Sequence, residues 1–381
     1  MNVTTTHSQQ AGADPGISIA AALLISVGVV MSYSATAVKA LDSGLPPLFL
    51  DHLVGVVLGL GAAALAYAVP MPVLRRLAIP LWLISIASLV ATLVLGIEVN
   101  GAQRWLEIPG TGFRFQPGEL AKCATLLAVA AWLSRKDDRR ELSTRRSIQA
   151  AGMALLPAGL LLMQPDLGNA VLLVVLASGL LFIAGTPWPR FVLPGVLGIV
   201  LVGVYIAAND YARQRVIGFL DPFREVQGAG YQLVQSYLAF SHGGLFGQGL
   251  GNGRQKLAYL PEVHTDFVLA LVAEELGLLG VLFVLGAFAA LWVAGTRVAR
   301  RARDRFDLLC AFGMVTLLTV PALLNASVVM GLVPTKGLTL PFLSYGRTSL
   351  VISCVALGIL LGVARRHPPR KSSEATWQGA G

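Results

Sequence analysis

Apolar runs of roughly 18 residues or more recur along most of this sequence, and each can cross a bilayer core of about 30 Å as a helix. They fall at about 17–38, 49–69, 77–97, 118–134, 148–163, 168–185, 191–208, 268–294, 308–330 and 349–363. Of the 381 residues, 55% are hydrophobic and only 13% charged, where soluble domains run at about half apolar and about a quarter charged. The expectation is an all-α polytopic membrane protein with about ten transmembrane helices forming a single domain over 17–363. Cys123, Cys310 and Cys354 lie far apart inside apolar runs. They read as buried small residues, with neither metal-ligand nor disulfide spacing.

The connections carry the charge. The net charge is +9, but the cations are scattered between apolar runs and form no single patch, which argues against nucleic acid. Arg75-Arg76, Arg135 to Arg146, Arg190, Arg297 to Arg305 and Arg365 to Lys371 hold most of the 29 basic residues and share one face. An excess of Lys and Arg in short loops marks that face as cytoplasmic. Both termini then lie inside: 1–16 as a polar N-terminal segment and 364–381 as a tail that reads as disordered. The first run ends in Ser34-Ala-Thr-Ala37, loosely like a signal-peptidase site. It lacks a basic region before it, and its length predicts a retained helix.

The opposite face carries 98–117, 209–267 and 331–348. Segment 209–267, between the seventh and eighth spans, is too long for a simple connector. Within it, Tyr231 to Phe240 is apolar at helical spacing and predicts a short helix along the membrane surface. The glycine run Gly243 to Gly253 has no strand before it, and Gly253-Arg254 is not the Gly-Lys-Ser/Thr of a P-loop. It predicts tight turns, or backbone packed closely on a ligand.

Polar residues beside apolar spans are functional suspects. Tyr259-Leu-Pro-Glu-Val-His-Thr-Asp266 runs directly into an apolar span. Asp266 reads either as a first-turn anion at a helix N-terminus or as a catalytic base for a substrate that is part sugar and part lipid. His264 has no second histidine at ligand spacing, which discounts zinc. Glu274 and Glu275 lie two turns further in, where at least one must face a cavity or partner helix. In Gln116-Pro-Gly-Glu-Leu-Ala-Lys122, Glu119 and Lys122 share one helix face and can pair, for structure or for binding. Asp166 in Gln164-Pro-Asp-Leu-Gly168 suits a helix cap. Pro334 to Gly346 holds prolines and glycines that break a helix beside Lys336, a candidate phosphate partner. Arg104-Trp105 fits an anionic headgroup or an interfacial anchor.

In this order, Arg104-Trp105, Phe115 to Lys122, Gln164 to Gly168, Phe219-Leu-Asp-Pro-Phe223, Gly230-Tyr-Gln-Leu233, Gly244 to Asn252, Tyr259 to Phe267 and Pro334 to Pro341 resemble the SEDS family of bacterial cell-wall proteins. That family has division-type (FtsW) and elongation-type (RodA) members, and the resemblance covers essentially all ten spans. It implies a peptidoglycan glycosyltransferase of the inner (cytoplasmic) membrane that polymerises lipid II on the outer face. The family's essential aspartate falls on Asp266 and its Glu/Lys pair on Glu119 and Lys122. Arg104, Gln116, Asp166, His264 and Lys336 are expected to contact the substrate, an undecaprenyl-linked glycan. The stretches ending at Asp266 and around Lys336 favour the division type, acting at the septum, with the elongation type as the alternative. The implied partners are a class B penicillin-binding transpeptidase and other division proteins. Arg104, Lys122 or Lys336 would stabilise the leaving pyrophosphate. A divalent cation, Mg²⁺ or Mn²⁺, could share that task, although the chain has no dedicated cage for one. Three positions depart from the family pattern: Gly118 for Ser, Asn169 for Thr, and Gly346-Arg347-Thr348 for Gly-Gly-Ser. Two other readings stand beside this one: a lipid II transporter and a non-catalytic division scaffold. Transporters often show two related halves with a site near the midplane, whereas here the polar groups gather on one face.

Overall fold

The computed structural model describes residues 14–37, 44–99, 102–108, 110, 113–135, 143–224, 228, 230–256, 265–335 and 337–368. Twelve helices lie among them: α1 (Pro15–Ala37), α2 (Pro47–Ala68), α3 (Met71–Leu95), α4 (Pro117–Leu133), α5 (Thr144–Met163), α6 (Leu167–Ile183), α7 (Pro189–Ala208), α8 (Asp210–Leu220), α9 (Tyr231–Gly243), α10 (Val268–Arg301), α11 (Arg305–Val329) and α12 (Arg347–Arg366). Ten of these sit on the ten apolar runs. Eight are long and apolar enough to cross a membrane, while α4 and α6 have 17 residues each. Prolines in the first turn open α2, α3, α4 and α7, where the missing N–H costs nothing. Asp166 caps α6 and Asp304 caps α11 through their side chains.

The core forms around α4, α11 and α12. Nearly all of α4 is buried, and the apolar windows of α11 and α12 are 72% and 78% buried, against 0% for α7. Exposed Leu193, Ile199 and Leu201 on α7 belong against lipid, because a helix satisfies its own backbone there. Near the ends of the spans, α1 and α10 run antiparallel. Asp14 meets Arg301 at 3.6 Å at one end, and Ser34 meets Glu275 at the other. The Arg-rich ends of α3, α10 and α12 therefore gather on one side, and Asp266 lies on the other.

Three features differ from the sequence reading. Segment 98–117, expected on the outer face, is not simply a loop: β1 (Ile97–Val99), β2 (Ala102–Ile108) and β3 (Phe113–Phe115) form an antiparallel sheet in that order. Asn100-Gly101 between the first two strands is a hairpin signal that the surrounding apolar runs overshadow. Segment 209–267 holds α8 as well as the expected surface helix α9, and Asn209 Oδ1 caps α8 by accepting from Ala212 N at 3.0 Å. The basic cluster expected in a loop after the eighth span is largely helical, since α10 runs on to Arg301. Cations in its last turn are favoured by the helix dipole. That helix also breaks at Gly277, where φ is 70°. At the C-terminus α12 extends to Arg366, and the expected disordered tail falls, from residue 369, outside the described residues.

Candidate active site

Pro117 starts α4, and one turn later its buried face presents Glu119 and Lys122. Lys122 Nζ donates to Glu119 Oε1 at 2.8 Å and to Asn169 Oδ1 at 2.8 Å. Asn169 in turn donates to Asp166 through its amide Nδ2, at 2.8 Å, and through its backbone N, at 3.3 Å. One buried chain of charge and amide thus links the start of α4 to the start of α6. Asp166 is both helix cap and network member, so capping and site membership prove compatible. Asn169, a departure from the family pattern, spans the gap because its amide accepts at one end and donates at the other. Lys122 spends two of its three donors on these partners.

The network borders a cavity of about 30 Å³ whose lining includes Gln116, Glu119, Lys122, Asn169, Gly337 and Ser349. That volume holds a water or one substituent of a larger ligand. Asp266 does not line this cavity itself but lies directly behind Gly337, which does. A Cβ on Gly337 would lie 2.8 Å from Asp266 Oδ2, so only glycine leaves the carboxylate its place. Buried Asn325 of α11 donates through Nδ2 to Asp266 O at 2.7 Å and to Leu338 O at 2.6 Å. Ser344 Oγ donates to Thr265 O and accepts from Leu340 N at 2.7 Å. These bonds clamp the turn before α10 against the irregular segment 337–346. Asn325 carried no sequence signal, because it sits amid apolar residues, and Ser344 was flagged only as part of the helix-breaking stretch Pro334 to Gly346.

Arg104 on β2 donates from Nε to Gln164 O at 3.3 Å and from Nη2 to Pro165 O. It braces the corner that carries Asp166, while Gln164 Nε2 donates to Leu89 O at 2.9 Å. Gln116 lines the cavity, and its backbone N donates to Thr348 Oγ1 at 3.2 Å. His264 and Lys336 lie outside the described residues. Arg347 turns to α2, pairing with Asp51 at 3.6 Å, and Tyr345 OH donates to the same Oδ2 at 3.3 Å. Burial, and next the Asp51 carboxylate, raise the Tyr345 phenol above its ordinary pKa. It therefore keeps its proton and donates. Among the described residues no three His, Cys, Asp or Glu side chains converge as metal ligands.

The second buried charge cluster has a different character. Glu274 accepts from Arg254 N at 2.9 Å and Gln255 N at 3.1 Å, and Glu275 accepts from Gly251 N at 3.0 Å, Ser34 Oγ at 2.6 Å and Lys256 Nζ at 2.8 Å. The two carboxylates are what the glycine run packs on. Carbonyls freed around the Gly277 break accept from the same run, with Gln248 N to Glu274 O at 2.9 Å and Gly249 N to Glu275 O at 3.1 Å. Gly247 and Gly277 lie too close to opposing backbone for any Cβ. Sequence reasoning flagged both parts without joining them.

This architecture has relatives. A family profile described as "Cell cycle protein", covering FtsW, RodA and SpoVE, matches residues 16–368. The chain is 41% identical over 357 residues to a probable peptidoglycan glycosyltransferase FtsW of Geobacter metallireducens, covering 92% of this chain and 94% of that one. It is 39% identical over 345 residues to its namesake in Trichlorobacter lovleyi, covering 90% of each. A solved structure described as "Structural coordination of polymerization and crosslinking by a peptidoglycan synthase complex" superposes with a TM-score of 0.75 at 31% identity, covering 93% of this chain and 98% of that one. The rod shape determining protein RodA of Thermus thermophilus superposes with a TM-score of 0.68 at 30% identity, covering 93% and 97%.

Proposed function

This chain belongs to the FtsW, RodA and SpoVE family of cell-cycle proteins, and from that membership we propose how it acts. It is a multi-pass membrane glycosyltransferase that polymerises peptidoglycan for the septal wall, as the division-type relatives support. The substrate is lipid II, worked on at the outer face of the cytoplasmic membrane. Ten helices cross the bilayer, and both termini lie on the Arg-rich inner side. The partner is a class B penicillin-binding transpeptidase, in keeping with the synthase complex whose fold this chain shares.

The observation that carries the mechanism is that Gly337, a wall of the cavity bordered by the Lys122 network, lies against the Asp266 carboxylate. Asp266 accepts the proton of the acceptor sugar's 4-hydroxyl as that oxygen attacks the donor's anomeric carbon. The bond from that carbon to the pyrophosphate oxygen breaks, and undecaprenyl pyrophosphate leaves from the opposite side with inversion. An aspartate of ordinary pKa near 3.9 is ionised at neutral pH and ready for this role. Lys122 offers its remaining donor to the developing anion in a dry environment, where a fixed charge acts strongly. Glu119 and Asn169 keep that ammonium aimed. Arg104 acts one step removed, by holding the Gln164–Pro165 corner. Lys336 and His264 stay candidates for the pyrophosphate and the acceptor sugar on sequence grounds.

The test is polymerisation of labelled lipid II by purified protein with its cognate transpeptidase. Asp266→Asn should remain in the membrane and lose at least about 10²-fold in rate, the lower range for general-base assistance. Long glycan strands from the variant at wild-type rate would remove Asp266 from the mechanism.

A further inference from the structure

A second, larger cavity of about 420 Å³ opens at the end of the molecule opposite Asp266, among the ends of α3, α4, α11 and α12. We infer that it binds the phosphate headgroup of an anionic phospholipid from the inner leaflet. Its volume falls in the usual range for small-ligand sites, about 300–1,000 Å³.

Charge points to an anion. Arg75, Arg76, Arg135 and Arg366 line the cavity, with Asp304 and Asp307 as the opposing carboxylates. Among the described lining residues, four cations against two anions leave an excess of two positive charges. Asp307 is engaged through one oxygen, since its Oδ2 accepts from Arg366 Nη1 at 3.0 Å and lies 2.8 Å from His367 Nε2, while its buried Oδ1 has no partner among the described residues. Asp304 is committed to capping α11, accepting from Phe306 N at 2.7 Å. Among the described residues, Arg75, Arg76 and Arg135 form no ion pair with a carboxylate. Two of them are nevertheless held in position. Arg75 lies 6.0 Å over the Phe306 ring and donates to Ser134 O at 3.3 Å, and Arg135 lies 4.3 Å over the Trp132 ring. Guanidiniums held in place, with no carboxylate partner among the described residues, match the fork geometry that phosphate oxygens accept.

The wall of α3 points to a lipid as the source of that phosphate. Pro72, Arg76 and Ile79 line the cavity at spacings of four and three, so they form one stripe. The stripe continues along the helix through Leu83 and Val90, both exposed apolar residues facing outward. A headgroup seated among the arginines would therefore lay its acyl chain along this flank. Basic pockets between spans on the cytoplasmic side favour anionic headgroups. The choice of leaflet rests on the orientation proposed above, but the binding itself does not, nor does it depend on the polymerase reading.

The experiment is native mass spectrometry of the full chain with added phosphatidylglycerol, phosphatidylcholine or inorganic phosphate, a measurement blind to sidedness. Wild type should retain phosphatidylglycerol over phosphatidylcholine. The double variant Arg76→Gln/Arg135→Gln should retain at least about fivefold less, while Arg297→Gln, outside the cavity, should match wild type. Equal retention by the double variant overturns the site. Retention of inorganic phosphate without lipid selectivity overturns the lipid assignment in favour of a soluble phosphate. A photoreactive phosphatidylglycerol tests wild type alone, in case the double variant folds poorly. Labelling should map to residues 71–79 and 131–135, and labelling confined to other helices overturns the proposal.

Discussion

Two buried clusters of acidic residues and lysine lie near the Asp266 end of this molecule, and they have opposite economies. Around Glu275, a serine, a lysine and two backbone N–H groups fill both carboxylate oxygens, and Glu274 is filled in the same way from Arg254 and Gln255. Around Glu119, the lysine keeps a donor in hand and the group borders a cavity whose wall at Gly337 adjoins Asp266. A saturated cluster can only hold structure, whereas an incompletely satisfied one beside space can meet a ligand. Composition alone does not separate the two. What each carboxylate's neighbours leave unmet does.

The contrast can be broken by substitution. Glu275→Gln removes the counter-charge of Lys256, whose side chain is 5% exposed. Breaking a buried pair from one side typically costs about 3–5 kcal/mol, so thermal unfolding in detergent should shift down more for this variant than for any other named here. Lys122→Met should also destabilise, by leaving Glu119 unpaired. The double variant Glu119→Gln/Lys122→Met should recover most of that stability while lipid II polymerisation stays lost. Recovery of activity along with stability would make the Glu119 cluster as purely structural as the Glu275 one.

Smaller changes sharpen the same distinction. Gly337→Ala places a methyl 2.8 Å from Asp266 Oδ2, and a carboxylate at the end of a side chain can move aside cheaply. Polymerisation should fall about tenfold or more, as misplacement of a reacting group does, with little change in unfolding temperature. Arg347→Gly restores the family's usual residue and gives up a partly exposed pair with Asp51. Such pairs contribute about 0–1 kcal/mol, so stability should barely move. A large loss of activity in that variant would mean that Arg347 acts on substrate as well as on Asp51.

Much of this was legible from the residues in order. The length and apolarity of the runs located ten helices, eight of them long and apolar enough to cross a membrane, because a bilayer fixes how much apolar chain a span needs, although α3 begins and α10 ends well outside the runs. Motif order pointed to the family, and the i, i+3 spacing of Glu119 and Lys122 allowed the pair that the structure forms. Other features needed the fold. Nothing in the spacing of Asp266, Asn325 and Gly337 brings them together, since 59 residues separate the first two and the contact exists only once α10, α11 and segment 337–346 pack. The glycine run and the Glu274-Glu275 pair looked like two separate problems. Tertiary structure made them one, because backbone N–H groups approach a carboxylate so closely only where no side chain intervenes. The Arg-lined cavity likewise draws on four helices. Sequence placed its arginines on one face, and packing alone decided that they surround a space.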